Sequence, residues 1–420
     1  MSKVSRPASV QDVRPHNRAA MLGRLRLGPS TRLTLARELG LSHSAISNVA
    51  AELLADGVLV ERAPRDPTTR IGRPSSELAI SARSRLVLAV ELGAGVVQLA
   101  LCDLLGAVVR SETLEFADSA RPAEVLAAVG ARCRSLAEAA APVPVLGVGV
   151  GAPGPVDHAR RGIRRAVNLG WTDVPVSDPL ERLLECPVVV EQDARAMALA
   201  EVRAGAHRGV DSLAFVTVEG AGVGAGLVIG GEPYRGGIDA VAALGHIPVV
   251  VGGPACSCGN RGCLQAVASA DAVAREVRAA VATPAGSALA AALAEDDDPL
   301  GALLRCAREG DRAAGRIRTR FLRHLARGIV VVVDLLNVEL VVVGGYLAEP
   351  LAVELLLPSL RAEVADGVFP LLRPSVRIEP ASFGAQAGLA GAATVALDAF
   401  FYDLEPNKRR SEAGAPALPV

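Results

Sequence analysis

The chain reads as an α/β protein of two lobes preceded by a small, mostly helical winged module. Three observations predict this. The first eighty residues run helix, helix, tight turn, helix, β-hairpin, the order of a winged helix-turn-helix. From Leu86 onward consecutive strands give way to βαβ alternation, and the pattern occurs twice, which calls for two α/β lobes with a cleft between them. Glycine-rich turns close strands at Gly93-Ala94-Gly95, Gly220 to Gly226 and Gly344-Gly345.

The elements follow in order. Helical periodicity starts near Asn17, with Ala20, Met21 and Leu25 on one face, and stops at Gly28-Pro29. Thr31 is placed to cap a second helix that runs to Gly40, and Ser42 to cap a third whose inner face is Ile46, Val49 and Leu53. Val58–Glu61 and Ser76–Ile80 form the hairpin. Strands are expected at Leu86–Leu92, Val96–Cys102 and Ala107–Leu114, a helix at Ala123–Ala139, and strands at Val145–Val150 and Val188–Glu191. The helix Asp193–Ala204 then leads to strands at Ser212–Val218 and Gly226–Ile229, the latter after a glycine loop. A long helix near Asp311–Leu336, the strand Leu340–Val343 and a last helix over Ala385–Phe400 complete the body. The expected divisions are a disordered arm over 1–15, a winged helix-turn-helix over 16–80, a two-lobed body over 81–400 and a disordered tail over 401–420. The lobes fall at about 85–200 and 210–400.

Composition sets the class. A chain of 420 residues, half of them hydrophobic, holds more than one core, and only 3% aromatics make those cores aliphatic. The opening lacks the apolar stretch of a signal peptide. The most apolar window, Gly328 to Gly345, is interrupted by Asp334, Asn337 and Glu339 and reads as helix then buried strand, not a membrane span. A soluble cytoplasmic protein without a membrane partner is expected. Seven cysteines, an odd number, argue against a secreted disulfide framework. Residues 1–80 carry 12 Lys/Arg and 7 Asp/Glu, a net of +5, so a total of −1 leaves −6 for the rest. A basic amino-terminal module on an acidic body is the balance expected for nucleic-acid binding.

The residues then point to chemistry. The outward positions of the third helix are His43, Ser44, Ser47 and Asn48, short polar groups at the end that enters the major groove in a helix-turn-helix. Arg18, Arg32 and Arg37 are candidate phosphate contacts, and Arg73, in Arg70-Ile71-Gly72-Arg73-Pro74, a candidate wing contact to the minor groove. The plainer alternatives are a solvated three-helix bundle and a solvated turn. The segment 246–263 holds Cys256, Cys258 and Cys263 with His246 upstream, a Cys3His set suited to tetrahedral zinc with no open position for catalysis. The glycine turns, with backbone N–H groups able to cradle phosphate, point to nucleotide-kinase ancestry.

These motifs resemble the ROK family of repressors and kinases, in particular its xylose-repressor and N-acetylglucosamine-repressor-like regulators. The resemblance rests on Leu244-Gly245-His246 followed by Cys-x-Cys-Gly-x-x-Gly-Cys-Leu, with support from Gly149-x-Gly151-Ala152-Pro153-Gly154-Pro155, Asn168-Leu169-Gly170-Trp171 and Asn337-Val338-Glu339-Leu340. It implies an actin-like (ribonuclease H-like) two-lobed sugar-kinase fold, a homodimer or tetramer, and affinity for a double-stranded operator set by a sugar or sugar-phosphate effector in the cleft. Asp193 occupies the position of the kinases' general base, and Asn168, Asp193, His246 and Gln265 match sugar-contacting positions.

Departures from the family pattern matter as much. The kinases' Asp-x-Gly-Gly-Thr loop is here Glu91-Leu92-Gly93-Ala94-Gly95 followed by Val96. Phosphoryl transfer depends on positioning and charge, so kinase activity is expected to be lost. Two sugar-binding glutamates of the family stand as Ala243 and Gln265, and Arg195 follows Asp193 where it could attract an acidic sugar. The resulting expectation is a repressor of carbohydrate genes, xylose metabolism among them. The rivals are an ATP-dependent sugar kinase with an appended DNA module, and a regulator controlled by a protein partner over a vestigial cleft.

Overall fold

Capping shapes the first unit. In the computed structural model, which describes residues 10–63, 76–117, 120–237, 243–283 and 287–402, α1 (Val10–Arg26) leads to β1 (Ser30–Thr31), α2 (Arg32–Leu39), α3 (His43–Ala55), β2 (Leu59–Arg62) and β3 (Glu77–Ile80). Thr31 accepts from the Thr34 N–H, and Gly40 ends α2 in the left-handed region at φ 64°. Ser42 accepts from the Ala45 N–H to start α3. Each such cap stabilises its helix by about 1 kcal/mol. Ile46, Val49 and Leu53 pack with Met21, Leu22 and Leu25 in one buried cluster. The strands pair antiparallel in the order β1-β3-β2. Arg73 lies outside the described residues.

The expected disordered arm over 1–15 is helical from Val10 onward. Pro15 forfeits one intrahelical bond, but Arg14 and Arg18 reach Glu52 of α3 at 2.7 and 3.4 Å. These pairs hold the early turns of α1 against its neighbour.

The body repeats one topology. β4 (Leu86–Leu92), β5 (Val96–Asp103) and β6 (Val108–Glu115) form an antiparallel meander. Through α4 (Pro122–Ala139) the chain reaches β7 (Val145–Ala152), parallel to β4. The hairpin β8 (Gly162–Ala166) and β9 (Trp171–Pro175), then α5 (Ser177–Leu184), lead to β10 (Val188–Gln192), parallel to β7. The helix α6 (Asp193–Arg203) crosses to the second sheet, where β11 (Ser212–Glu219), β12 (Gly222–Ile229) and β13 (Glu232–Pro233) repeat the meander. After α7 (Leu264–Ala268), α8 (Ala270–Val281), α9 (Ser287–Glu295), α10 (Pro299–Arg308) and α11 (Arg312–Leu336) comes β14 (Leu340–Gly345), parallel to β11. Then α12 (Pro350–Gly367), β15 (Arg377–Pro380), parallel to β14, and α13 (Ala387–Leu397) close the fold. The sheet orders, β10-β7-β4-β5-β6 and β13-β12-β11-β14-β15, are two copies of one plan.

Two helices join the copies. α13 packs on the first sheet, sharing a cluster with Val87, Ala89 and Ala100, and α6 packs on the second with Phe215, Val228 and Val342. They also pack on each other, where a Cβ at Gly391 would come within 2.8 Å of the α6 backbone at Ala196. The glycines expected to form a loop at 220–226 lie largely within β12. At Gly226 a Cβ would overlap the Ala194 carbonyl, so glycine there serves close packing against α6, not a phosphate cradle. The cluster under α13 extends without break into α1, α2 and α3. It also takes in Phe401 and Tyr402, which are 4% and 7% exposed in a π-helical turn over Asp398–Tyr402, so the expected disordered tail begins too early.

Candidate functional site

A cavity of about 400 Å³ opens where α6, β11 and β12 meet the turns of the first lobe. It gathers all four residues expected to contact a sugar. Asn168 sits on a 3-10 turn, Asp193 opens α6, His246 ends the 3-10 turn Leu244–His246, and Gln265 lies on α7. Thr217, Glu219 and Arg165 also line it, and sequence reasoning missed all three. Glu219 stands at the end of β11, directly before the hairpin turn, with Thr217 Oγ1 donating to its Oε1 at 2.8 Å. Arg195, by contrast, is fully buried and ion-paired to Glu191 at 2.7 Å. It faces away from a cleft ligand, and the exposed cation on the wall is Arg165.

Two carboxylates, Asp193 and Glu219, stand on this wall, and Glu91 lies behind it within reach of their charge. Burial, then the charge of Glu219, pushes Asp193 up to about 7, while the Ala194 N–H and Arg195 pull it back. Burial, then Glu219 and Asp193, pushes Glu91 up to about 8. Both fold with a pKa above the ordinary carboxylate value near 4. Their contribution to stability is therefore full below about pH 4 and is lost as pH rises through 7 and 8. The melting temperature is expected to fall between about pH 4 and about pH 8, and Asp193→Asn to flatten that slope. A slope unchanged in the variant would refute the raised value.

Next to the cavity, the His246, Cys256, Cys258 and Cys263 ligand atoms all lie within 4.8 Å of one another. The loop is folded by Cys256 N–H donating to Asn260 O at 2.8 Å and by Gly262 at φ 71°, where a Cβ would overlap the Val250 carbonyl. Cys258 and Cys263 sulfurs are 3.8 Å apart, and Cys256 Sγ lies 3.7 Å from His246 Nδ1. A disulfide needs about 2.05 Å. Sulfurs held about 2.3 Å from a tetrahedral metal stand about 3.8 Å apart, so the spacing fits an ion. The Asn260 N–H holds Cys258 below the ordinary thiol range, and burial keeps His246 low, hence neutral. With Nδ1 turned to Cys256, the imidazole still lines the cavity, so one side chain stands at both places expected of it.

On α3, His43, Ser44 and Asn48 are exposed and Ser47 is half-buried, 3.4 Å from His43 Nδ1. Arg37 is exposed. Arg32 donates to Glu61 of β2 at 2.6 Å, and Arg18 turns inward to Glu52 and Asp56. Among the described residues no helix is long and apolar enough to cross a membrane.

A family model, described as ROK family, matches residues 87–399. The chain belongs to the ROK family. Its relatives include both sugar kinases and repressors. A glucokinase from Thermotoga maritima is 36% identical over 59% of this chain and 78% of its own length. The DNA-binding transcriptional repressor Mlc of Escherichia coli is 25% identical over 93% of this chain and 95% of its own. Among solved structures, a ROK family transcriptional regulator homologous to the E. coli Mlc protein superposes with a TM-score of 0.77 at 24% identity, over 92% of this chain and 97% of that one. A ROK family glucokinase from Streptomyces griseus, in complex with glucose and AMPPNP, gives a TM-score of 0.64 at 30% identity over 73% and 98%. The duplicated sheets are thus the actin-like, mixed α/β fold of ROK repressors and sugar kinases.

In this ROK chain the first glycine loop is closed on itself. The Gly93 N–H donates to Val96 O at 2.8 Å, and the space beside Gly93–Gly95 is only about 40 Å³. The Glu91 carboxyl is packed so closely on Gly388 of α13 that a Cβ there would overlap it.

Proposed function

We propose that this chain is a DNA-binding transcriptional regulator, a repressor of carbohydrate genes, whose kinase-like cleft senses a sugar or sugar phosphate without phosphorylating it. One observation carries the reading: a winged helix-turn-helix with an exposed polar recognition face shares an unbroken apolar core with the helix that joins the two lobes. That core gives a cleft ligand a mechanical route to the DNA-binding surface. Glu91, taken up by packing on α13, is poorly placed to organise nucleotide phosphates. Asn168, Asp193 and Gln265 would hold sugar hydroxyls, with Arg165 on the wall for an acidic substituent. His246, Cys256, Cys258 and Cys263 would hold one structural zinc, supplying rigidity to the cleft wall and no reaction step. The protein would act in the cytoplasm.

Selecting DNA from a random pool tests this. A homodimer should enrich a palindrome whose half-sites lie about one helical turn, or a multiple, apart. Asn48→Ala is expected to weaken the selected site by about 1–3 kcal/mol while leaving non-specific binding at matched salt unchanged. Equal losses on both would count against base readout by Asn48.

The glucokinase relative at 36% identity favours a second reading, a sugar kinase with an appended DNA module. Sugar-dependent ATP turnover abolished by Asp193→Asn would establish it.

A further inference from the structure

The two ends of α6 stand in two functional places. Its first residue, Asp193, lines the cleft. Its last, Arg203, places Nε 3.2 Å from Oδ2 of Asp398, in the π-helical turn after α13. The other oxygen, Oδ1, takes Nη1 of Arg26 at 2.7 Å, and Arg26 is the final residue of α1. We propose that Asp398 couples the cleft to the DNA-binding module, because its carboxylate is divided, oxygen by oxygen, between a helix that starts in the cleft and a helix of the winged unit.

The surroundings make this a relay and not a surface ion pair. Arg26 is 7% exposed, and its guanidinium lies over the Tyr402 ring, 4.4 Å from the centroid. The Tyr402 hydroxyl donates to Leu104 O at 2.7 Å, which fixes the turn to the first lobe. Between its ends α6 is buried from Ala194 to Val202, with α13 backbone against it at Gly391, so it moves as a rod. Arg203 has a second partner: its Nη2 reaches Glu232 on β13, in the second lobe, at 2.8 Å. One guanidinium therefore bridges the edge of the second lobe and a carboxylate anchored to the first. When the lobes change angle, Arg203 cannot keep both partners at bonding distance. Loss of the Asp398 contact removes one of the two charges that fix this carboxylate beside Arg26. That is a two-position element which both sites bias, the physical requirement for coupling.

The proposal rests on the regulator reading, and the test separates the two. Amide hydrogen exchange is measured on the full chain and on Arg203→Met, Arg203→Lys and Asp398→Asn. Among the described residues Arg203 pairs with Asp398 and Glu232 and forms no ion pair with α1, yet Arg203→Met is expected to raise exchange in the last turn of α1 several-fold, as Asp398→Asn does, with Arg203→Lys near the parent. Unchanged exchange in α1 for Arg203→Met would overturn the relay. In parallel, affinity for pool-selected DNA is measured with and without saturating D-glucose or D-xylose. Site-to-site coupling is typically about 5–150-fold. Asp398→Asn is expected to bring it near unity with sugar affinity unchanged, and full coupling retained in that variant also overturns the proposal. A parent chain that selects no DNA, or ignores both sugars, defeats the functional reading instead, and the exchange result still decides the bridge.

Discussion

Cys258→Ser is expected to abolish binding of the proposed zinc and to lower stability by more than about 4 kcal/mol, the range that accompanies loss of a structural metal. The reason lies in how little else holds the loop. Val251 is fully exposed, and the turns are fixed by short backbone bonds such as Gly262 N–H to Pro254 O at 2.8 Å. A serine hydroxyl is not a thiolate, so three ligands remain and the binding free energy that doubles as folding free energy falls. The damage does not stay local. Leu244 and Leu264 flank the metal residues on either side, and both pack into the second-lobe core beneath Gly328, where a Cβ would lie 2.5 Å from Leu264 Cδ2. His246 and Cys258 also line the cavity, so sugar binding should weaken together with stability. Zinc content by elemental analysis, with melting curves in the presence and absence of chelator, checks this. Cys186→Ser, at a half-buried cysteine outside the cluster, is the control that should keep its metal. A metal-free chain that folds fully and melts unchanged would sink the structural role.

Much of this was legible because the signals are local. Thr31 and Ser42 occupy caps, and a cap requires only one oxygen three residues from an amide. The Cys-x-Cys-x4-Cys spacing similarly places three sulfurs on one turn, with only His246 coming from outside it. The strand β4 matches its hydrophobic run residue for residue. What escaped depends on distant parts of the chain. Nothing beside Glu219, Thr217 or Arg165 marks them as cavity wall, because the cavity exists only once two lobes meet. Arg195 looked available for a ligand because its partner Glu191 lies one helical turn earlier, across the strand-to-helix junction. Gly224 and Gly226 looked like a phosphate loop, yet a short strand needs the same residues wherever a helix backbone presses on it. Likewise, the strands of the hairpin over Gly162–Pro175 carry Arg164, Arg165 and Asp173, and so lack the apolar alternation that reveals a half-buried strand.

The other large effect is expected at Glu191, which is 1% exposed. Burial alone would raise its pKa, but Arg160, Arg235 and Arg195 together draw it down to about 2. Arg195 approaches at 2.7 Å, Arg235 at 2.5 Å and Arg160 at 3.4 Å. Glu191→Gln keeps the shape and removes the charge, leaving three guanidiniums facing a neutral amide. Removing one partner of a buried ion pair typically costs about 3–5 kcal/mol, and that is the loss expected here. The contribution has a defined pH window. A carboxylate depressed on folding stabilises above its unfolded value near 4 and loses that contribution as pH falls toward 2, so the gap between parent and variant should narrow in acid. Glu232→Gln sets the scale: its side chain is 71% exposed beside Arg203, and an exposed pair is worth less than about 1 kcal/mol. Position gives Glu191 a functional weight as well. It lies on β10, the last strand of the first sheet, whereas Arg235 follows β13 of the second and opens the stretch that leads to Ala243 and His246 at the cavity. Glu191→Gln should therefore weaken sugar binding along with stability, in contrast to Glu232→Gln. Chemical denaturation of both variants at neutral pH decides the matter: a Glu191→Gln chain as stable as Glu232→Gln would mean that solvent, and not Glu191, balances the arginines.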